Sequence, residues 1–230
     1  MIKAVCFDFD GTLAHFTGDF EAFTDSLRTE LMLVQCDLAN FAEALSRALR
    51  RESQLTLYSA LKEVLEGLEQ RPPSDLEHLV RQALSAYASQ IALLPGALEV
   101  LEFCRQQALP CALLSNGPAD TQRAAIQAVG IEGYFQRILV SGDADVAVRK
   151  PHPHIFRLAC EALGTKPGET LMVGDNLEAD IRGALAYGMQ AVYLGREPGR
   201  AYDAVSDLKA FSTWLQSQHQ PADRTRDPLR

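Results

Sequence analysis

Two aspartates separated by one residue, Asp8 and Asp10, stand in the stretch Cys6-Phe-Asp-Phe-Asp-Gly-Thr-Leu13, where the apolar run from Lys3 to Phe7 ends. In extended chain alternate side chains share a face, so both carboxylates lie on one side of the strand end, roughly 7 Å apart. Like charges that close raise each other's pKa unless a positive group stands between them. Gly11 allows a sharp turn directly after the pair, and Thr12 adds a small hydroxyl. Taken alone, the same residues serve equally well as a solvated strand end running into an Asp-Gly turn. The rest of the chain must decide.

Further polar groups follow later apolar runs: Ser115-Asn116-Gly117, then Arg149-Lys150-Pro151, then Gly174-Asp175-Asn176 with Asp180 close behind. Asp8, Asp175 and Asp180 would crowd negative charge into one cleft, and oxygen-only donors suit Mg²⁺. A phosphate ester is itself anionic, so an anionic nucleophile needs positive charge beside it. The chain uses lysine sparingly (Lys3, Lys62, Lys150, Lys166 and Lys209), which singles out Lys150 before its proline. Asn116-Gly117 also fits a hairpin turn, although a helical pattern follows it instead of a returning strand. Asp180 fits equally an acid in the first turn of a helix, favoured by the macrodipole. His152 and His154 have a spacing open to transition-metal binding, but their flanking prolines suit a helix entrance and metal binding there is not expected.

The elements that must hold these groups are legible as periodicities. Over residues 19–90, Leu27, Leu31 and Val34, then Phe41, Leu45 and Leu49, then Leu57, Leu61, Val64, Leu65 and Leu68 recur at helical spacing. Pro72-Pro73 breaks the run, and Ser74-Asp-Leu-Glu77 fits a capping box opening one more helix. About four short-linked helices make a small bundle. From Leu93 onward helix and strand alternate: helices over 97–107, 119–129, 153–163 and 178–187, strands over 111–115, 137–141, 170–174 and 190–194. That order predicts an α/β fold, a Rossmann-like doubly wound parallel sheet with helices on both faces and ligands bound beyond the strands' carboxyl ends. The expected organisation is a core of residues 1–14 and 95–218, an inserted helical cap of 15–94, and a tail of 219–230 without order.

Taken in order, DFDGTL, LLSNG, RKPHPHIF and VGDNLEADIRGALAYGM resemble the four motifs of the haloacid dehalogenase-like hydrolase superfamily, in particular its phosphatases with a helical cap after the first motif. The resemblance covers nearly the whole chain. It implies Asp8 as a nucleophile forming an aspartyl-phosphate, and Asp10 as general acid for the leaving alcohol and then base for water. It implies Mg²⁺ held by the carboxylates of Asp8 and Asp175 and the backbone carbonyl of Asp10, with Asp180 in or beside that shell. Ser115, Asn116 and Lys150 would bind the phosphate, with backbone N–H groups of the following turn assisting. A phosphomutase uses the same motifs and stays an alternative, as does a non-catalytic binding relative, although no key position is missing. Dehalogenation is disfavoured because halide leaves without a proton and Asp10 would be idle. A Schiff-base mechanism would fall to Lys62, which lies mid-helix where solvent exposure is expected.

Composition narrows the rest. The chain has 230 residues, is 47% hydrophobic and carries a formal net charge of −8, which suits a globular protein and argues against a nucleic-acid partner. No run approaches a membrane span or a signal peptide. Cys6, Cys36, Cys104, Cys111 and Cys160 show no CxxC spacing and read as reduced thiols, so a cytoplasmic location is expected. The expected partner is a small phosphorylated metabolite, and the expected state a monomer or homodimer. Many capped relatives carry an acid where this chain has His15-Phe16. His15, Phe16, Phe20 and Phe23 offer the cleft little positive charge, which favours a small or moderately apolar monoester unless Arg28, Arg47, Arg50 or Arg51 enters it.

Overall fold

A computed structural model describes residues 1–51, 55–197 and 199–219. The chain opens with β1 (Ala4–Phe7) and β2 (Ala14–Phe16), followed by α1 (Phe20–Glu30), α2 (Leu38–Leu49), α3 (Leu57–Gly67) and α4 (Leu76–Ala88). β3 (Ile91–Leu93) and α5 (Ala97–Gln106) lead to β4 (Cys111–Ser115), α6 (Ala119–Ala128), β5 (Arg137–Val140) and α7 (Pro153–Leu163). The last elements are β6 (Thr170–Gly174), α8 (Gly183–Tyr187), β7 (Gln190–Leu194), β8 (Asp203–Val205) and α9 (Leu208–His219). No helix among the described residues is long and apolar enough to cross a membrane.

Side-chain alternation along the central strands creates two cores. Val5 and Phe7 of β1, Cys111 and Leu113 of β4, and Leu171 and Val173 of β6 enter one, which α5, α6 and α9 cover. Ala4 and Cys6, Ala112 and Leu114, and Met172 enter the other, which α7 and α8 cover. Strands buried on both faces are continuous apolar runs, as a parallel sheet wrapped by helices requires. The sheet is six-stranded and parallel throughout, in the order β5-β4-β1-β6-β7-β8. It is the Rossmann-like doubly wound order, whose reversal point lies between β1 and β6. Cys6, Cys104, Cys111 and Cys160 are buried free thiols, and Cys36 is half-buried.

Helices α1–α4 close around their own apolar cluster, including Leu27, Phe41, Leu45, Leu61, Leu65 and Val80. Asp19 and Asp37 cap α1 and α2 through their carboxylates, and Thr56 and Ser59 form a reciprocal cap on α3. The box expected at Ser74–Glu77 does not form. Asp75 is the N-cap of α4, so Glu77 falls one position too early to reach back. α1 also stops before Val34: Met32 has φ +58° and turns the chain, leaving Val34 exposed. The insertion is tied to the core by the chain crossings. β2 and β3 pair antiparallel, and Asp120 of α6 accepts the Leu57 N–H at 2.8 Å. The Ala119 N–H donates to the Leu55 carbonyl at 2.7 Å, and Leu55 N–H to Gly142 at 2.9 Å.

Periodicity left β2, β3 and β8 unread because each has three residues, too few to show alternation. The helix expected over 178–187 is divided: a π turn over Leu177–Arg182 precedes α8. α9 runs to His219, the first residue of the stretch expected to lack order. Residues 220–230 of that stretch lie outside the described residues.

Candidate active site

Asp8 leaves the carboxyl end of β1 with its N–H on the Val173 carbonyl at 2.9 Å, so β6 fixes its height. The chain then folds over itself, with the N–H groups of Leu13 and Ala14 both donating to the Phe9 carbonyl. Gly11 has φ +78° in this turn, and a Cβ there would overlap the Asp175 carboxylate arriving from β6. Glycine is therefore required twice over. It permits the left-handed backbone, and it lets Asp175 approach the turn that follows Asp8 and Asp10.

Lys150 closes the cluster from a loop 142 residues along the chain from Asp8. Its Nζ lies 2.5 Å from Asp8 Oδ1 and donates to the Leu114 carbonyl at 2.7 Å. The same ammonium lies 2.7 Å from Asp180 Oδ1, an ion pair outside hydrogen-bond geometry. Asn116 clamps the Lys150 backbone, donating from Nδ2 to the carbonyl at 3.0 Å and accepting the N–H on Oδ1 at 2.8 Å. Asp180 reaches inward from the π turn, where its Oδ2 accepts the Asn176 N–H at 3.0 Å. A Cβ on Gly174 would overlap that carboxylate. Wide turns of this kind recur at functional sites because they re-aim one side chain without ending the helix.

Ser115 and Asp10 meet through a residue that motif spacing did not single out. Gln122, buried on the first turn of α6, accepts the Ser115 hydroxyl on Oε1 at 2.8 Å, and its side chain lies near enough to Asp10 to favour the ionised carboxyl. A readable signal existed: Gln122, Ala125 and Ile126 share the buried stripe of α6, and a polar residue on such a stripe needs a partner. Tyr87 is a further unforeseen neighbour.

The electrostatics follow from three acids around one ammonium. Burial pushes the Asp8 carboxyl up from its ordinary value, with Lys150 pulling the other way. Burial also raises Asp175 and Asp180, and the nearby acid adds to each. Lys150 is held above its ordinary value: burial opposes the charge, but Asp180 and Asp8 outweigh it. Asp10 is raised to about 6, first by burial and then by the Asp8 charge, while the Gln122 side chain works against both.

One ligand atom each from Asp8, Asp175 and Asp180 lies within 4.8 Å of the others. Three carboxylates, if all ionised, would leave two negative charges against one ammonium, and Asp180 Oδ1 accepts no hydrogen bond. An all-oxygen set with that deficit fits a hard divalent cation such as Mg²⁺. Asp180 thus belongs to the cluster and is not a solvated helix-start acid, being fully buried. The Asp10 carboxylate stands outside the three-acid set. The Asn116 side chain is bonded to the Lys150 backbone and the Ser115 hydroxyl to Gln122. His152 caps α7 through Nδ1, and His154 Nδ1 lies 3.0 Å from Arg157 Nη2.

Of the residues expected to face the cleft, Phe20, Phe23 and Arg50 line a cavity beside Gln122, whereas His15 and Phe16 do not. Arg28 pairs with Asp25 and holds the carbonyls after α1, Arg47 pairs with Glu43, and Arg51 with Glu63.

A family profile described as haloacid dehalogenase-like hydrolase matches residues 2–188. The chain is 30% identical over 230 aligned residues to a ribulose-1,5-bisphosphate 5-phosphatase of Halopiger xanaduensis, covering 95% of each protein. It is 41% identical to a phosphoserine phosphatase of Thermus thermophilus over 104 residues, which span 45% of this chain and 41% of that one. The solved structure of a HAD phosphatase from Thermococcus onnurineus superposes with a TM-score of 0.68 at 25% identity, covering 93% of this chain and 98% of that one.

Proposed function

The chain belongs to the haloacid dehalogenase-like hydrolases, and we propose that it is a Mg²⁺-dependent phosphatase working through an aspartyl-phosphate on Asp8. The substrate is a small phosphate monoester, as the names of its phosphatase relatives suggest. What carries the reading is the contrast between the two opening acids. Asp8 is bound to a buried ammonium at 2.5 Å, whereas Asp10 stands outside that cluster with its carboxyl raised to about 6. An acid bound to a buried ammonium suits a nucleophile, and a second acid held near neutral pH outside that pair suits an acid–base partner.

A carboxylate oxygen of Asp8 forms a bond to phosphorus as the ester's P–O bond breaks, and Asp10 gives its proton to the departing alkoxide. Asp10, now ionised, takes a proton from water as that water attacks the same phosphorus. The P–O bond to Asp8 then breaks, releasing inorganic phosphate. Lys150 holds Asp8 in place and offsets charge on the transferring group. Asp8, Asp175 and the Asp10 carbonyl, with Asp180 alongside, would hold Mg²⁺, which would supply further neutralisation of charge on the transferring group. Ser115 contributes a hydrogen bond to phosphate by turning its hydroxyl away from Gln122. Residues 15–94 act as a cap over this cleft, sheltering the intermediate from bulk water.

The roles separate in rapid-mix kinetics with Asp8→Asn and Asp10→Asn. Asp8→Asn forms no covalent adduct with any ester. Asp10→Asn loses acid and base help, each typically worth ~10²–10⁴-fold. An activated aryl phosphate scarcely needs its leaving group protonated, so this variant should release at most one equivalent of phenolate and stall with one phosphoryl group attached. Alkyl phosphates should give almost no burst. Equal losses on both ester types, with no trapped adduct in the intact mass, would remove Asp10 from its role.

A further inference from the structure

A cavity of about 320 Å³ opens between the helical insertion and the start of α6. Its lining residues place it beside the acid cluster at the carboxyl end of β4. Gln122 accepts the Ser115 hydroxyl at 2.8 Å and Asn116 accepts the Lys150 N–H at 2.8 Å, and Asp10 is near enough to Gln122 and Tyr87 to interact electrostatically with both. Asp10 serves the leaving alcohol, so the cavity lies where the body of that alcohol must extend.

Its walls are of two kinds. Phe20, Phe23, Leu45, Leu57 and Tyr87 form an apolar face, and Phe16 stacks behind Tyr87 with ring centroids 5.1 Å apart. The polar side carries Arg50 and Arg149, and no described lining residue is Asp or Glu. In a chain with 30 acidic against 22 basic residues, an acid-free wall with two guanidinium groups has the opposite charge from its surroundings. Arg149 gives one N–H to the Leu49 carbonyl at 3.3 Å. Arg50 is exposed, and its side chain makes no hydrogen bond or ion pair with any described residue. Arg28, Arg47 and Arg51 are each paired with an acid. A cation without an acid partner among the described residues, at the edge of an apolar pocket, suits a ligand that supplies the missing charge.

We propose that the preferred substrate is a phosphate monoester whose alcohol has an apolar body ending in a carboxylate, the body packed on the Phe20–Phe23–Tyr87 wall and the carboxylate received by Arg50. This rests on the phosphatase reading above and names the class of ester it takes.

The test uses three synthetic esters with similar phenolic leaving groups: phenyl phosphate, the phosphate of 3-(4-hydroxyphenyl)propanoate, and that ester's primary amide. With Mg²⁺ present, the full-length enzyme should turn over the carboxylate about tenfold better than the amide in kcat/KM, the scale of one partly exposed charge-assisted hydrogen bond. In Arg50→Ala the ratio should fall toward one, and Arg50→Lys should keep part of it. A ratio within one protein does not depend on how much of that protein is folded. Hydrolysis of all three esters without preference would overturn this inference and leave the phosphatase reading standing. A preference that survives in Arg50→Ala would overturn it through the assigned arginine. No hydrolysis of any ester would sink both readings together.

Discussion

Replacing Lys150 by methionine keeps an unbranched stem of similar length and removes its charge. In the native site the ammonium side chain is 2% exposed, and its partners Asp8 and Asp180 are 10% and 1% exposed at 2.5 and 2.7 Å. Solvent screens such pairs little, and deleting one partner of a buried ion pair typically costs about 3–5 kcal/mol. The acids can relieve part of that cost by taking protons, which fixes the sign of a pH dependence. Burial already holds Asp8, Asp175 and Asp180 above the ordinary 3.8, and losing the cation raises Asp8 and Asp180 further. A carboxyl raised in the folded state binds protons on folding, so its stability contribution falls as pH rises from the unfolded pKa through the folded one. Lys150→Met should therefore lose about 3–5 kcal/mol near pH 7 relative to wild type, and progressively less as pH is lowered toward 4. Urea unfolding followed by circular dichroism in EDTA, at several pH values, reads this directly. In the presence of Mg²⁺, kcat/KM should drop at least ~100-fold, with little recovery in Lys150→Arg because guanidinium is planar and larger. A loss under about 1 kcal/mol that does not vary with pH would refute the single-cation account of the cluster.

Mg²⁺ at about 100 times its dissociation constant should raise wild-type stability in urea by about 2.7 kcal/mol over EDTA, and Asp175→Asn should abolish most of that gain. Ca²⁺ should support turnover poorly, and full activity in excess EDTA would remove the metal from the site. Gln122→Leu removes the polar group that favours ionised Asp10, so the kcat/KM limb near pH 6 should move to higher pH. An unmoved limb would detach Gln122 from Asp10. Gly11→Ala should lose at least about 1–2 kcal/mol and most activity, because it adds overlap with Asp175 to a strained backbone. Gly130→Ala, at φ +69° with nothing within 4 Å of the added methyl, is the control that carries backbone strain alone and should keep its activity.

The parallel sheet was legible because burial on both faces writes each inner strand as an unbroken apolar run. Cys111–Ser115 and Thr170–Gly174 fall where their sequences suggest, with every residue buried. Acids and the lysine were legible for a different reason. In a doubly wound sheet, whatever follows a strand faces the carboxyl-end crevice, so Asp8 and Asp175 needed no distance information to be placed near one another. Spacing failed where the element was shorter than its period, as in β2 and β3, and where a helix began one residue off register, as at Asp75.

The less readable part of the site is where one side chain serves two segments far apart in the chain. Asn116 looked like a phosphate ligand because it follows Ser115, yet both ends of its amide are bound to the backbone of Lys150. Its contribution is to hold the loop that delivers the ammonium, a role that exists only once β4 and that loop are packed together. Gln122 is the same kind of residue, holding the hydroxyl of Ser115 at the end of β4 while favouring the ionised carboxyl of Asp10 beyond the neighbouring β1. Local sequence fixes what each group can donate or accept. Which partner it meets is decided by packing between distant segments, and a polar residue on an otherwise apolar stripe is the one mark such packing leaves in the sequence.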